Sequence, residues 1–161
     1  MELGFQTAND ETARLINRGY DRIEFERAMS LLDKYGIPAI VHVIIGLPGE
    51  DFAETVKLSE YLLKFNIFGL KIHSIYVMEG TKLEEMHRQN LYTPPTLEEF
   101  VRSAVYMITH TPESVIIHRL TGDCPRDKLI APEWNADKNA IFDALRTELK
   151  KQGGHQGSAL K

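Results

Sequence analysis

Cysteine is nearly absent: Cys124 stands alone in 161 residues, so the chain can close no internal disulfide and cannot hold a thiolate cluster by itself. Long apolar runs are missing as well, and none approaches the ~18 residues of a membrane span. There is no basic surplus either. Lys and Arg number 19 against 23 Asp and Glu, for a net charge of -4, which disfavours the phosphate backbone of nucleic acid as a partner. The opening Met1-Glu2-Leu3-Gly4 shows no basic stretch followed by a long apolar one, and with the single thiol this gives the expectation of a cytoplasmic protein. What remains is an ordinary globular composition, 43% hydrophobic and 26% charged, in a length suited to one domain.

Periodicity divides the chain into alternating strands and helices. Glu2 to Thr7 reads as a first strand, and Asn9-Asp10-Glu11 as a helix start. Asp21 with Glu24 makes a capping box ahead of the stripe Ala28, Leu31, Leu32 and Tyr35, which Gly36 and Pro38 close. Ala39 to Ile45 is apolar on both alternating faces apart from His42, the composition of a parallel strand covered on both sides. Asp51 and Glu54 then cap a helix carrying Leu58, Tyr61, Leu62 and Phe65, and Gly69 to Tyr76 forms a third strand. A short helix over Lys82 to Arg88 leads to Pro94-Pro95. Beyond them Thr96 and Glu99 cap the most regular helix, on which Leu97, Phe100, Val101, Ala104, Val105 and Ile108 share a face. Ser114 to Leu120 is a fourth strand and Asp137 to Lys151 a last helix. The tail from residue 152 to 161 is expected to be loose and flexible for want of apolar content.

Strand starts near Leu3, Ala39, Lys71 and Val115 lie 36, 32 and 44 residues apart. A β/α barrel of eight units uses about 31 residues per unit. The expected fold is therefore α/β: half of a TIM-like barrel, over residues 1–151, with about four parallel strands and flanking helices. Such a half exposes strand edges and one core face, so a second segment or a second copy of the chain is expected to cover them.

Chemistry-bearing residues gather at the ends of these strands. His42, His73 and His118 occupy three different strands, and together with Asp123 they could ligate a metal in a hydrolase, although no H-E-x-x-H helix supports this. In H-V-I-I-G-L-P-G-E, Gly46, Leu47, Pro48 and Gly49 form a turn between strand and helix. The glycines would let a ligand approach the backbone, while a tight turn alone accounts for the same residues. Gln6 and Arg18 supply a carboxamide and a guanidinium, a pair suited to an amino-acid-like moiety; singly, each reads as a strand-end residue and a surface charge. The run from His118 to Asp127, with Arg119, Asp123 and Arg126, is dense in ionisable groups for a linker, and suits a salt-bridged loop as well as a substrate site.

The runs E-L-G-F-Q-T-A-N-D-E-T, I-N-R-G-Y-D and H-V-I-I-G-L-P-G-E-D resemble the central region shared by oxygen-independent coproporphyrinogen oxidase and the Elongator catalytic subunit. The ending I-I-H-R-L-T-G-D-C-P-R-D-K-L-I-A-P-E-W-N, with a later Q-G, resembles the YhcC-type branch of radical S-adenosylmethionine (radical SAM) proteins. The resemblance implies a partial β/α barrel in which a [4Fe–4S] cluster reduces SAM to a 5′-deoxyadenosyl radical. It implies that Gln6 and Arg18 help seat the methionine end of SAM, that His42 takes the place of an aspartate near the ribose, and that Gly46 to Gly49 turn beside the cofactor. His73, His118, Arg119, Asp123 and Arg126 become substrate-side candidates. The general G-x-I-x-G-x-x-E pattern is met only at Ile44 and Gly46, and the three cluster cysteines of the complete family protein have no counterpart here. The expectation is thus a fragment: the SAM-seating and substrate-side half of a radical SAM enzyme, holding no metal itself and inactive unless another polypeptide supplies the cluster. A strand-borne metal hydrolase and a non-catalytic dimerising half-barrel remain as rivals.

Overall fold

Alternation in the second strand sets the layering. In β2 (Ile40–Ile45), Val41, Val43 and Ile45 are buried, whereas Ile40, His42 and Ile44 are only half-buried. In β3 (Gly69–Ser74), Leu70 and Ile72 are buried on the same side and Lys71 and His73 are half-buried on the other. A computed structural model describes residues 1–160 and places these strands in one parallel sheet with β1 (Glu2–Gln6) and a strand over Ile116–Arg119. Their order across the sheet is their order along the chain. A doubly wound sheet reverses strand order at its switch point and places helices on both faces; a barrel does neither.

The helices of the main core cover one face. After β1 come α1 (Asp10–Leu15) and α2 (Arg22–Lys34), and between β2 and β3 lies α3 (Phe52–Leu62). A two-residue strand, β4 (Val77–Met78), then precedes α4 (Lys82–Arg88) and α5 (Leu97–Thr109). The Ile116–Arg119 strand is β5, followed by β6 (Leu129–Ala131) and α6 (Lys138–Lys151). Phe25 and Met29 of α2, Leu58 of α3, Phe100 and Val105 of α5, and Ile141 and Leu145 of α6 share a single core with Phe5, Val41, Val43 and Ile72. On the opposite, inner face α4 packs only at the carboxyl end, where Leu83 and Met86 join Ile44, so among the described residues the rest of β2 is covered by helices on one side where its composition suggests two.

Local chemistry explains the helix ends. Asn9, Asp21, Asp51, Thr81, Thr96 and Asp137 each cap a helix through a side-chain oxygen, and Thr96 with Glu99 completes a capping box. The inward stripe of α2 is Phe25, Met29 and Leu32, so Leu31 and Tyr35, expected inside, face out with exposures of 56% and 66%. The surface of α2 is apolar enough on several sides that periodicity alone chose the wrong one.

Two features are absent from the sequence expectation. β4 and β6 pair antiparallel and, with Leu47, Ile75 and Tyr92, form a second small core beyond the carboxyl ends of the strands. Residues beyond α6, expected to be loose, carry polar contacts: Gly157 and Ala159 donate to the carbonyls of Ile108 and Thr109, and Gln156 Nε2 donates to those of Pro112 and Val115. No helix among the described residues is long and apolar enough to cross a membrane.

One-sided burial gives an unequal response to truncation. Phe5 is fully buried and its ring stacks on Phe25 at 3.9 Å. Phe5→Ala is expected to cost about 3–5 kcal/mol in urea unfolding, whereas Ile40→Ala on the inner face costs about 1 kcal/mol or less. Equal losses would contradict the layering.

Candidate functional site

The carboxyl end of β1 is held by a side chain that leaves and returns. Asn17 and Gly19, with φ of 56° and 84°, twist the loop after α1 so that Arg18 points back into the fold, its side chain 2% exposed. Arg18 Nη1 donates to the carbonyls of Phe5 and Thr7, both at 2.7 Å, and Nε to that of Tyr20 at 2.8 Å. Asp10 lies 3.5 Å from Nη2. Phe5 and Thr7 flank Gln6, whose φ of 60° is a left-handed conformation that a non-glycine residue adopts only when its surroundings hold it there. Arg18 is therefore a positioning residue for Gln6: Nη1 and Nε are spent on carbonyls, while Nη2 is buried without a hydrogen-bond partner among the described residues, and Arg18 lines the cleft that Gln6 also lines.

Gln6 carries the second unpartnered polar atom at this corner. A Cβ on Gly4 would lie 2.6 Å from Gln6 Nε2, so glycine at that position is what lets the carboxamide fold back over β1. Its Oε1 is buried and has no hydrogen-bond partner among the described residues. Gln6 lines a cleft of about 1010 Å³ at the carboxyl ends of β1, β2 and β3, with Ile44, Leu47, Pro48, Ile75, Leu83 and Met86 as mainly apolar walls. That is the upper end of the range in which ligands of cofactor size are held.

In the turn from β2 to α3, Leu47 and Pro48 form the cleft's far side, while Gly46 and Gly49 line a separate pocket of about 580 Å³. Gly46 has a φ of 92°, and a Cβ there would fall 2.6 Å from the Pro95 ring, so both conformation and space require glycine. Gly49 (φ 80°) completes the turn. The first free N–H groups of α3 are not available to an anion, because Asp51 already accepts from Ala53 and Glu54. Sequence reasoning missed Glu50, whose carboxylate accepts from the Thr7 hydroxyl and ties this turn to β1. Burial pushes the Glu50 carboxyl up, against the pull of the Thr7 and Thr12 hydroxyls.

The other candidates do not join this cleft. His42 lies nearer the amino end of β2, its Nε2 2.9 Å from Glu2, and stacks on His73 at 5.5 Å. His118 lies over Gly69, Asp123 pairs with Arg119 and Lys138, and Arg126 donates to the carbonyl of Ala136 at 2.7 Å. Cys124 is half-buried, and burial pushes its thiol up. Among the described residues no three His, Cys, Asp or Glu side chains come together as a metal site, so the strand-borne hydrolase lacks its ligand set.

The sequence pattern described as "Radical SAM superfamily" matches residues 1–62, and that described as "Radical_SAM C-terminal domain" matches residues 67–151. The chain belongs to the radical SAM superfamily. It is 34% identical over 160 residues to Protein YhcC of Escherichia coli (strain K12), covering 99% of this chain and 52% of that protein. With YtqA of Bacillus subtilis (strain 168) the identity is 31% over 157 residues, covering 98% and 49%. This radical SAM chain thus spans about half the length of the curated relatives it matches. Among solved structures, the archaeal Methanocaldococcus infernus Elp3 with an N-terminal deletion superposes with a TM-score of 0.87 at 25% identity, over 96% of this chain and 36% of that one.

Two measurements test the geometry. Arg18→Met leaves buried carbonyls unpaired and is expected to cost about 2–4 kcal/mol in urea unfolding, with Arg18→Lys recovering little because an ammonium cannot span the same acceptors. Full stability in Arg18→Met would contradict a positioning role. At His73, burial first and then the neighbouring His42, Arg119 and Lys71 bring the imidazole down from 6.5 to about 4. Above the higher value the folded and unfolded chains are alike at this group. As pH falls from 6.5 to about 4 the unfolded chain takes up the proton first, so stability drops and then levels off. The unfolding midpoint of His73→Gln should lose less over that window than the parent's; parallel pH curves would contradict it.

Proposed function

We propose that this chain is the SAM-seating and substrate-side half of a radical SAM enzyme, and that it performs no radical chemistry alone. The observation that carries the proposal is Gln6, with a buried Oε1 unpartnered among the described residues, in the lining of a cleft of cofactor size at the carboxyl ends of the parallel strands. In barrels of this kind the reacting groups meet at those ends. The residues present fit SAM: an acceptor for its amino or hydroxyl donors, and apolar walls at Ile44, Leu47 and Ile75 for a flat ring. When bound, SAM supplies the sulfonium-linked adenosyl group on which the family's radical chemistry draws. Gln6 then orients it, Arg18 holds Gln6 in place, and the Gly46 to Gly49 turn excludes water from one side.

The residues do not fit a [4Fe–4S] cluster, which takes several cysteine thiolates where this chain has Cys124 alone. The cluster therefore belongs to another polypeptide segment or chain, which would cover the bare inner face and pair with the open edge of β1. A cytoplasmic setting and a small-molecule substrate are part of the same proposal.

Calorimetric titration of the purified chain with S-adenosylhomocysteine tests it. Saturable binding is expected, weakened about fivefold by Gln6→Ala, the worth of roughly 1 kcal/mol for one hydrogen bond. After anaerobic incubation with iron and sulfide, no cluster absorbance and no SAM cleavage are expected. Absence of binding, or cleavage of SAM by the chain alone, would sink the proposal.

A further inference from the structure

Beside the cleft, the inner face of the sheet carries a row of ionisable side chains, most of which pair with one another. Glu2 of β1 bonds His42 Nε2 at 2.9 Å and Lys71 Nζ at 2.6 Å. Asp123, in the loop after β5, lies 3.2 Å from Arg119 and also takes Lys138 from the start of α6. His73 of β3 sits between these two groups, stacked on His42 on one side, while Arg119 lies opposite Lys71 two residues earlier on its own strand. Its Nε2 is buried and has no hydrogen-bond partner among the described residues.

Charge does not balance around that nitrogen. Glu2 answers Lys71, but the single Asp123 carboxylate answers both Arg119 and Lys138, which leaves one positive charge over. Arg119 is 45% exposed and spends one nitrogen on Asp123, so its guanidinium has donors in reserve. The same surroundings keep the His73 ring neutral near pH 7: burial, His42, Arg119 and Lys71 all disfavour its proton, and Asp123 alone favours it. His118, over Gly69 on β5, completes the titratable groups on this part of the face. A neutral imidazole with its proton on Nε2, beside a guanidinium that shares its one carboxylate with Lys138, is a donor pair for oxygen carrying negative charge. A cationic ligand would be repelled there, and an apolar one would leave Nε2 unbonded.

We infer that His73 and Arg119 together bind an oxyanion group, carboxylate or phosphoryl, on the molecule that this face receives. The inference rests on the proposed function only in calling that molecule the substrate. It also separates the substrate-side candidates. His73 and Arg119 touch the ligand, Asp123 and Lys138 set the charge around them, and Arg126, tied to Ala136, takes no part.

Ring ¹⁵N NMR of the full chain near neutral pH, titrated separately with acetate and with inorganic phosphate, tests it. A saturable shift of His73 Nε2 toward a hydrogen-bonded donor is expected. Arg119→Gln should weaken the dissociation constant by about fivefold or more, the loss of one charge-assisted bond, with partial recovery in Arg119→Lys. Because Arg119 is half exposed, an unchanged amide spectrum shows that the variants fold. Saturation by acetate alone marks a carboxylate ligand, by phosphate alone a phosphoryl one, and by both an oxyanion site open to either; each supports the assignment. No saturable shift with either probe, or the same affinity in Arg119→Gln, overturns it. The titration with S-adenosylhomocysteine reads the cleft and this one reads the inner face, so a failure of one is distinguishable from a failure of the other.

Discussion

The grip of one guanidinium on two carbonyls underlies the site. Arg18 bonds the carbonyls on either side of Gln6 and so keeps a non-glycine residue in a left-handed backbone conformation at the end of β1. That conformation breaks the pairing register with β2 and turns the carboxamide over Gly4 into the cleft. Thr7, the next residue, reaches Glu50 in the β2 to α3 turn, so the ends of two neighbouring strands are locked to each other. A cation buried this fully is costly unless its donors are satisfied; carbonyl oxygens take Nη1 and Nε, while Nη2 has only Asp10 at 3.5 Å and no hydrogen-bond partner among the described residues. The motif pieces G-x-Q and N-R-G are two halves of one structural device.

The second organising constraint is that the sheet is dressed on one side. The helices α2, α3, α5 and α6 lie on one face, as the handedness of parallel connections requires when strands follow one another in sequence order. The inner face is left to Glu2, His42, Lys71, His73 and their neighbours. Among the described residues these groups pair laterally along the sheet. An ionic row of this kind suits a lumen that admits a polar ligand, and would be an expensive lining for an apolar core.

Several motif residues turned out to serve the framework. Gln156 and Gly157, the terminal Q-G, fasten the end of the chain to the carbonyls around the α5 to β5 connection. Arg126 anchors the loop ahead of α6, and Asp51 closes the helix end that an anion would otherwise have found open. His42 sits with Glu2 and His73 instead of with Gln6 and Arg18, because it lies two residues back from Ile44, the β2 residue that reaches the cleft. Spacing along a strand could place it on the inner face but not say which end of that face it served.

Strand and helix order, capping positions and the half-barrel class were legible in the sequence, because each depends on short-range chemistry: alternation, an Asp or Thr before a helix, a glycine after one. The radical SAM resemblance was legible for the same reason, since its motifs sit on consecutive turns. Which side of α2 faced inward, the pairing of β4 with β6, and the partners of Arg18 and His73 were decided only by the tertiary structure. Those depend on residues far apart in the chain, Met78 with Leu129 and Lys71 with Glu2, whose meeting no local pattern encodes. A lone charged side chain looks the same in sequence whether it ends in water, on a carbonyl or beside a ligand; only packing around it makes the choice.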